Sequence, residues 1–329
     1  MVKALILFTG KEEEEIMPIV KKLHSEMEQM GMVATLVPNE KFVETEAREL
    51  SKTFDTEIVM KSQKFAEKQA YEETDKATFQ AMEAFVHNLN SMHSRAGAQT
   101  PFSSINYGMC TDPEARMVMR NLLLTTDEGL GGGETAIFPI QIFRVKKGVN
   151  LNEGDPNYDL FKLACKVSAK RLFPNFSFQD APYNLQYYKP GHPETEISYM
   201  GCRTRVIGNN YDPTREISYG RGNLSFTSIN LPRIAIKMRS VDLFFKELDR
   251  MLQLVSDQLM ERFAVQSKRK VKNFPFLMGQ GVWIDSEKLG WEDTVGEVIK
   301  HGTLSIGFIG LAETRSEERR VGKECEGMC

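Results

Sequence analysis

The sequence predicts an α/β protein whose strands are mainly parallel and joined by helices. Two observations carry this. From about residue 99 onward, short apolar strand-like segments alternate with helical ones. The helical segments also carry their own boundary residues, such as Asp112 before Pro113 at one start and Pro174 at one stop. No internal repeat or low-complexity linker interrupts the alternation.

Taken in order, "MVKALILFTG" reads as a first strand, and "KEEEE" behind it as a helix start and a poor signal peptide. Residues 1–70 read as mostly helical, with Ile16, Ile19, Val20 and Leu23 at helical spacing. A second helix is expected from Asp75 to Met92, its stripe being Phe79, Met82, Phe85, Val86, Leu89 and Met92. "TPFSSINYG" reads as a strand, "DPEARMVMRNLLLTTDEGL" as a helix, "TAIFPIQIFRVK" as a strand and "GDPNYDLFKLACKVSAKRLFP" as a helix. "LSFTSINLPRIAI" reads as a nearly continuous apolar strand. The segment from Ser240 to Lys268 reads as the longest helix, with Ser240 as its cap. "FPFLMGQGVWI" and "HGTLSIGFIGLAET" are expected to be further strands.

Composition bounds the function. The 329 residues are 41% hydrophobic and 26% charged with a net charge of -3, which suits a globular protein and lacks the basic footprint of a nucleic-acid binder. No apolar run approaches the ~20 residues that span a bilayer. The five cysteines, Cys110, Cys165, Cys202, Cys325 and Cys329, form neither a disulfide framework nor a C-x-x-C pair, so a reducing cytoplasm is the expected compartment.

Most candidate sites have an ordinary explanation. "GLGGGET" (residues 129–135) lacks the Lys-Ser/Thr of a phosphate loop and precedes a strand, so it reads as a turn. Cys165 reads as a small buried hydrophobe sharing a helix face with Leu160, Leu163, Ala164, Val167 and Leu172. Cys110 reads as a packed or incidental thiol. The five histidines show no helical metal-site spacing. Cys202, in "SYMGCRTRVIGN", stands apart. It follows Gly201 where a strand gives way to a long loop punctuated by Gly208, Gly220 and Gly222, and Arg203 and Arg205 are close by. Such a loop can project one side chain from its tip. Loop placement alone leaves packing and function both open.

"TPFSSINYG", "GDPNYDLFKLACKVSAKRLFPN", "SYMGCRTRVIGN", "GRGNLSFTSINLPRIAI" and "LSIGFIGLAET", in that order, resemble the anaerobic (class III) ribonucleoside-triphosphate reductases. The resemblance runs from about Phe65 to Thr314, and residues 1–64 have no assigned role. It implies part of a ten-stranded α/β barrel of the glycyl-radical enzyme type, threaded by a central finger loop. Cys202 matches the cysteine at the loop tip, which a glycyl radical oxidises to a thiyl. The thiyl takes the 3′ hydrogen of a ribonucleoside triphosphate, water leaves from C2′, and a deoxyribonucleotide results. Sulfur suits this because S–H and sugar C–H bonds are of similar strength. Asn223 matches the asparagine that contacts the sugar; without the resemblance it reads as a turn or strand-start residue. Thr204 matches a small hydroxyl position near the substrate. Met200, two residues before the cysteine, fits the formate-using branch and otherwise reads as a core methionine. The resemblance further implies ATP or deoxynucleotide effectors, a homodimer formed partly by helices like 75–92, and a radical-SAM iron–sulfur activase. It implies neither nucleic-acid nor membrane partners.

The sequence departs from the family's pattern in two ways. Neither the zinc-binding four-cysteine module nor the radical glycine segment is found in it. Residues 315–329 resemble the translation of a sequencing-adapter oligonucleotide and are expected to be an artefactual tail, the competing reading being a solvated charged end. A chain so truncated is expected to be inactive alone. Two other classes remain open: another glycyl-radical enzyme, and a non-catalytic nucleotide-binding or dimerisation module.

Overall fold

The computed structural model describes residues 1–94, 97–201, 204–238 and 240–315. It divides into two units, one spanning Met1–Pro182 and taking in Gly201, the other spanning Tyr183–Met200 and the residues from Thr204 onward.

The first unit opens on a helix, α1 (Val2–Thr9), where the apolar run suggested a strand. Leu5 is fully buried against Ile16, Val20, Leu23 and Met27 of α2 (Glu13–Gln29) and Val59 of α4 (Thr56–Ser91). Gly10, at φ 68, ends α1 by donating its N–H to Ile6 O. The short helix α3 (Glu40–Leu50) is capped by Asn39, whose Oδ1 accepts from Lys41 N at 3.0 Å. At 36 residues α4 is the longest helix among the described residues; it starts at an Asp55 cap and runs unbroken through residues 64 and 65. Its first half falls largely in the region read as mostly helical, and the helix expected at 75–92 is its second half. Of the expected stripe, Val86 is buried beside Leu122 and Ala136, whereas Met92 lies beyond the helix and is exposed.

Three parallel strands follow, β1 (Ser104–Tyr107), β2 (Ile140–Val145) and β3 (Asn175–Phe178), with β2 central. The crossover helices are α5 (Pro113–Glu128) and α6 (Tyr158–Arg171), so the expected strand–helix alternation is present. The core lies between Phe143 and Val145 of β2, Leu123 of α5, and Leu160, Ala164 and Val167 of α6. Cys165 is exposed, contrary to expectation. The inward stripe is Leu160, Ala164 and Val167, and the residue after Ala164 turns off that face. Leu172 is also 80% exposed; as a left-handed C-cap at φ 66 it ends α6 before Pro174 is reached.

In the second unit, after the one-turn α7 (Pro182–Leu185), β4 (Ser198–Met200) and β5 (Thr204–Val206) pair antiparallel. Further along, β6 (Asn223–Asn230) and β7 (Thr303–Ile309) pair parallel. The anticipated long strand stops at Asn230, whose side chain accepts from Arg233 N at 3.0 Å and caps α8 (Leu231–Lys237), with Pro232 in its first turn. The following α9 (Val241–Ser267) is capped by Ser240 and buries Val255 and Leu259 against Ile229, Leu231 and Ile234. "FPFLMGQGVWI" forms turns rather than a strand: Met278 N bonds Phe274 O at 2.9 Å, Gln280 N bonds Phe276 O at 3.2 Å and Trp283 N bonds Leu277 O at 3.0 Å. Among the described residues the strands thus form separate sheets of three, two and two, a mixed α/β arrangement with small parallel sheets.

Candidate functional site

The segment around Cys202 is an antiparallel hairpin. Its register pairs Ser198 with Val206, Tyr199 with Arg205 and Met200 with Thr204. Cys202, the candidate thiol, lies outside the described residues. Gly201 has φ 63 and, within the first unit, donates its N–H to Ser104 Oγ at 2.9 Å. Thr204 is exposed.

Met200 and the start of β6 come together. A β-carbon on Gly222 would lie 3.7 Å from Met200 Sδ and 3.4 Å from Trp283 Cζ3. Asn223, the next residue, opens β6 opposite Thr303, with a bulge before Ser225. Its approach is clamped: Gly220 O accepts from Ile284 N at 2.7 Å and Gly222 O from Thr303 N at 2.9 Å. Gly220 needs to be glycine, because its φ is +63 and a β-carbon there would meet Ile284 N at 3.1 Å. Between them, Arg221 donates from Nε to His301 O and from Nη1 to Ile217 O, each at 2.9 Å. Burial pulls the Arg221 pKa below its usual value. Asn223 Oδ1 is buried and has no hydrogen-bond partner among the described residues. A buried amide oxygen without a donor is costly unless something fills its vacancy.

A polar cluster braces the same loop. Arg215 donates to both oxygens of Asp285, at 2.9 and 2.7 Å, and from Nε to Asp212 at 2.6 Å. Lys288 reaches Asp285 at 2.6 Å. Arg215 first and Lys288 second hold the Asp285 carboxyl far below the usual carboxylate range. Buried His301 has its Nδ1 2.9 Å from Asn209 Nδ2 and its Nε2 3.4 Å from both Asp285 Oδ2 and Arg215 Nη2. Burial first, then the Arg215 charge, lowers the His301 pKa below 6.5. A depressed histidine contributes stability that is fully present above its unfolded value and lost as pH falls below about 6.5. Thermal melts between pH 8 and pH 5 should therefore show a loss of stability that His301→Gln removes, leaving a flatter profile. A cavity of about 650 Å³ lies beside this cluster, lined among others by Tyr187, Asn209, Tyr211, Arg221, Lys300 and His301.

The remaining candidates show no such convergence. The carbonyls of Asp127 and Glu128 at the end of α5 and of Gly133 in the glycine-rich loop all accept from Arg171, so this turn presents acceptors to a guanidinium where a phosphate cradle presents N–H donors. Cys110 is exposed, its Sγ 3.4 Å from Asp112 Oδ2. No cluster of three metal-ligating side chains occurs among the described residues, and no helix among them is long and apolar enough to cross a membrane. Sequence reasoning missed Trp283, Arg215, Asp285 and His301. Their only shared signal is proximity in space, since 86 residues separate Arg215 from His301.

The family profile described as anaerobic ribonucleoside-triphosphate reductase matches residues 41–325. A protein of that name from Haemophilus influenzae is 32% identical over 245 residues, covering 73% of this chain and 33% of its own length. The Escherichia coli protein of that name is 33% identical over 253 residues, covering 76% and 34% respectively. The one from Enterobacteria phage T4 is 33% identical over 268 residues, covering 78% and 42%. The chain spans 33% to 42% of the length of these curated relatives. With a matching profile over most of its length, and the motif blocks around Met200 and Asn223 folded against one another, this chain belongs to the anaerobic ribonucleoside-triphosphate reductase family.

Proposed function

We propose that the chain carries the thiol-bearing part of an enzyme that reduces ribonucleoside triphosphates to deoxyribonucleoside triphosphates, with formate as reductant. The observation that supports this best is the partnerless buried oxygen of Asn223, the residue after Gly222, where a β-carbon would lie 3.7 Å from Met200 Sδ. An amide oxygen with an unused lone pair suits a ribose hydroxyl as donor and stays uncharged while a radical forms nearby.

In this reading Cys202 supplies the sulfur. When its thiyl takes the 3′ hydrogen, an S–H bond forms, a C3′–H bond breaks and a carbon radical is left on the sugar. The 2′ hydroxyl leaves as water, and formate is oxidised to carbon dioxide as it supplies the two reducing electrons. The cysteine returns its hydrogen to C3′, so the net change is ribonucleotide plus formic acid to deoxyribonucleotide, carbon dioxide and water. Asn223 orients the sugar, Met200 lies toward the formate side and Thr204 offers a hydroxyl near the substrate. A glycyl radical, installed by a radical-SAM iron–sulfur activase, supplies the oxidising equivalent that starts each cycle. The complete enzyme is a cytoplasmic homodimer with ATP or deoxynucleotide effectors, and its hairpin enters a ten-stranded barrel that excludes water and quenching side reactions.

The test uses the complete reductase with its activase, S-adenosylmethionine, a ribonucleoside triphosphate and carbon-labelled formate. The expected result is one labelled carbon dioxide per deoxynucleotide. Deoxynucleotide formed without labelled carbon dioxide overturns the formate assignment, and no deoxynucleotide at all overturns the reductase reading.

A further inference from the structure

The geometry points to Trp283 as a positioning residue that acts through Gly222. We infer that its indole sets the distance between Met200, the last residue of β4, and Asn223, the first of β6. The inference rests on the functional reading above and deepens it: Cys202 follows Met200 by two residues, so whatever fixes Met200 fixes where the chain enters the thiol segment.

Three observations support it. The space at Gly222 is finite on two sides, because a β-carbon there meets Trp283 Cζ3 at 3.4 Å and Met200 Sδ at 3.7 Å. Those are ordinary contact distances, so one methyl group fits there in contact with both side chains. The indole itself cannot swing away freely. It is 5% exposed, its Nε1 donates to Val298 O at 2.8 Å, and its core neighbours are Val271, Met278, Val295 and Ile299. The flanking backbone is also tied, through Ile284 N to Gly220 O and Thr303 N to Gly222 O. Met200 Sδ and the fixed indole therefore face the same small space beside Gly222, and Asn223 is the next residue. Trp283 touches neither the sugar nor the reacting atoms in this reading. Its effect is on the separation of the groups that do, and a small misplacement is costly in such a site.

The test compares Gly222→Ala, Gly222→Val and the double variant Gly222→Val/Trp283→Phe in the complete reductase. Gly222→Ala should keep kcat within about threefold of the parent, because one methyl fits. Gly222→Val should lower kcat at least ~tenfold, with KM for the ribonucleoside triphosphate within about twofold and undiminished glycyl-radical signal by electron paramagnetic resonance. Shrinking the indole should return at least about threefold of the lost kcat in the double variant, a coupling that independent sites would not show. Parental kcat in Gly222→Val, a parallel rise in KM, or no recovery in the double variant overturns the inference. If Gly222→Val does not fold, the ε-methyl resonance of Met200 in the 329-residue chain decides. It should move in Trp283→Phe, and an unmoved signal overturns the proposal. A parent that makes no deoxynucleotide sinks the functional reading instead, and the methyl resonance then decides this contact alone.

Discussion

Cys202→Ser is expected to abolish deoxynucleotide formation by the complete reductase while leaving ribonucleoside triphosphate binding intact. The argument is one of bond strength. A thiyl exchanges hydrogen with a sugar carbon almost evenly, because the S–H bond formed and the C–H bond broken are similar. A serine O–H bond is much stronger, so the radical that starts the cycle cannot be generated on oxygen from a glycyl donor. A fall of about 10⁴-fold or more, a barrier increase of at least ~5 kcal/mol, is the expected scale. Turnover by labelled nucleotide and binding by equilibrium dialysis separate the two effects. Retained turnover removes the thiol from the mechanism. If instead the chain were a non-catalytic nucleotide-binding module, the same substitution would leave every function unchanged.

Trp283→Ala should have the largest effect on folding stability, about 3–5 kcal/mol by the measure of buried aromatic truncations. Trp283 is 5% exposed and lies at the centre of the cluster of Val271, Met278, Val295, Val298 and Ile299. Removing the indole leaves both a cavity and the carbonyl of Val298, which now accepts from Nε1 at 2.8 Å, without its donor. Urea unfolding monitored by circular dichroism measures the change. Trp291→Ala is the control, since Trp291 is 54% exposed and its loss should cost less than about 1 kcal/mol. Equal effects at the two tryptophans would show that the turn-rich segment 274–291 is not the support it is taken to be.

Where local signals were strong, the sequence was a reliable guide. Apolar alternation with Asp112, Pro113 and Pro174 at its joints placed β1, α5, β2 and α6 in order, and Ser240 marked the start of α9. The errors have identifiable causes. "KALILF" is as apolar as a strand, but it lies against α2 and α4, and a helix satisfies its backbone internally while burying Leu5. The strand at β6 was extended too far because "LPRIAI" is apolar throughout, whereas Asn230 and Pro232 together start a helix. Cys165 was placed inside because it was read as sharing one helix face with Leu160, Leu163, Ala164, Val167 and Leu172, yet it neighbours the buried stripe of Leu160, Ala164 and Val167 without belonging to it.

The sequence alone determined the family, through ordered motif blocks, and through that resemblance it nominated Cys202, Met200, Thr204 and Asn223 for the roles proposed above. Tertiary structure decided what surrounds them. The gathering of Met200 and Trp283 around Gly222 and of Arg215, Asp285 and His301 in one cluster brings together positions far apart in the sequence. No window of sequence contains both partners of such a pair. Their proximity follows from the pairing of β6 with β7 and of β4 with β5, which is fixed by burial and hydrogen bonding over the whole unit.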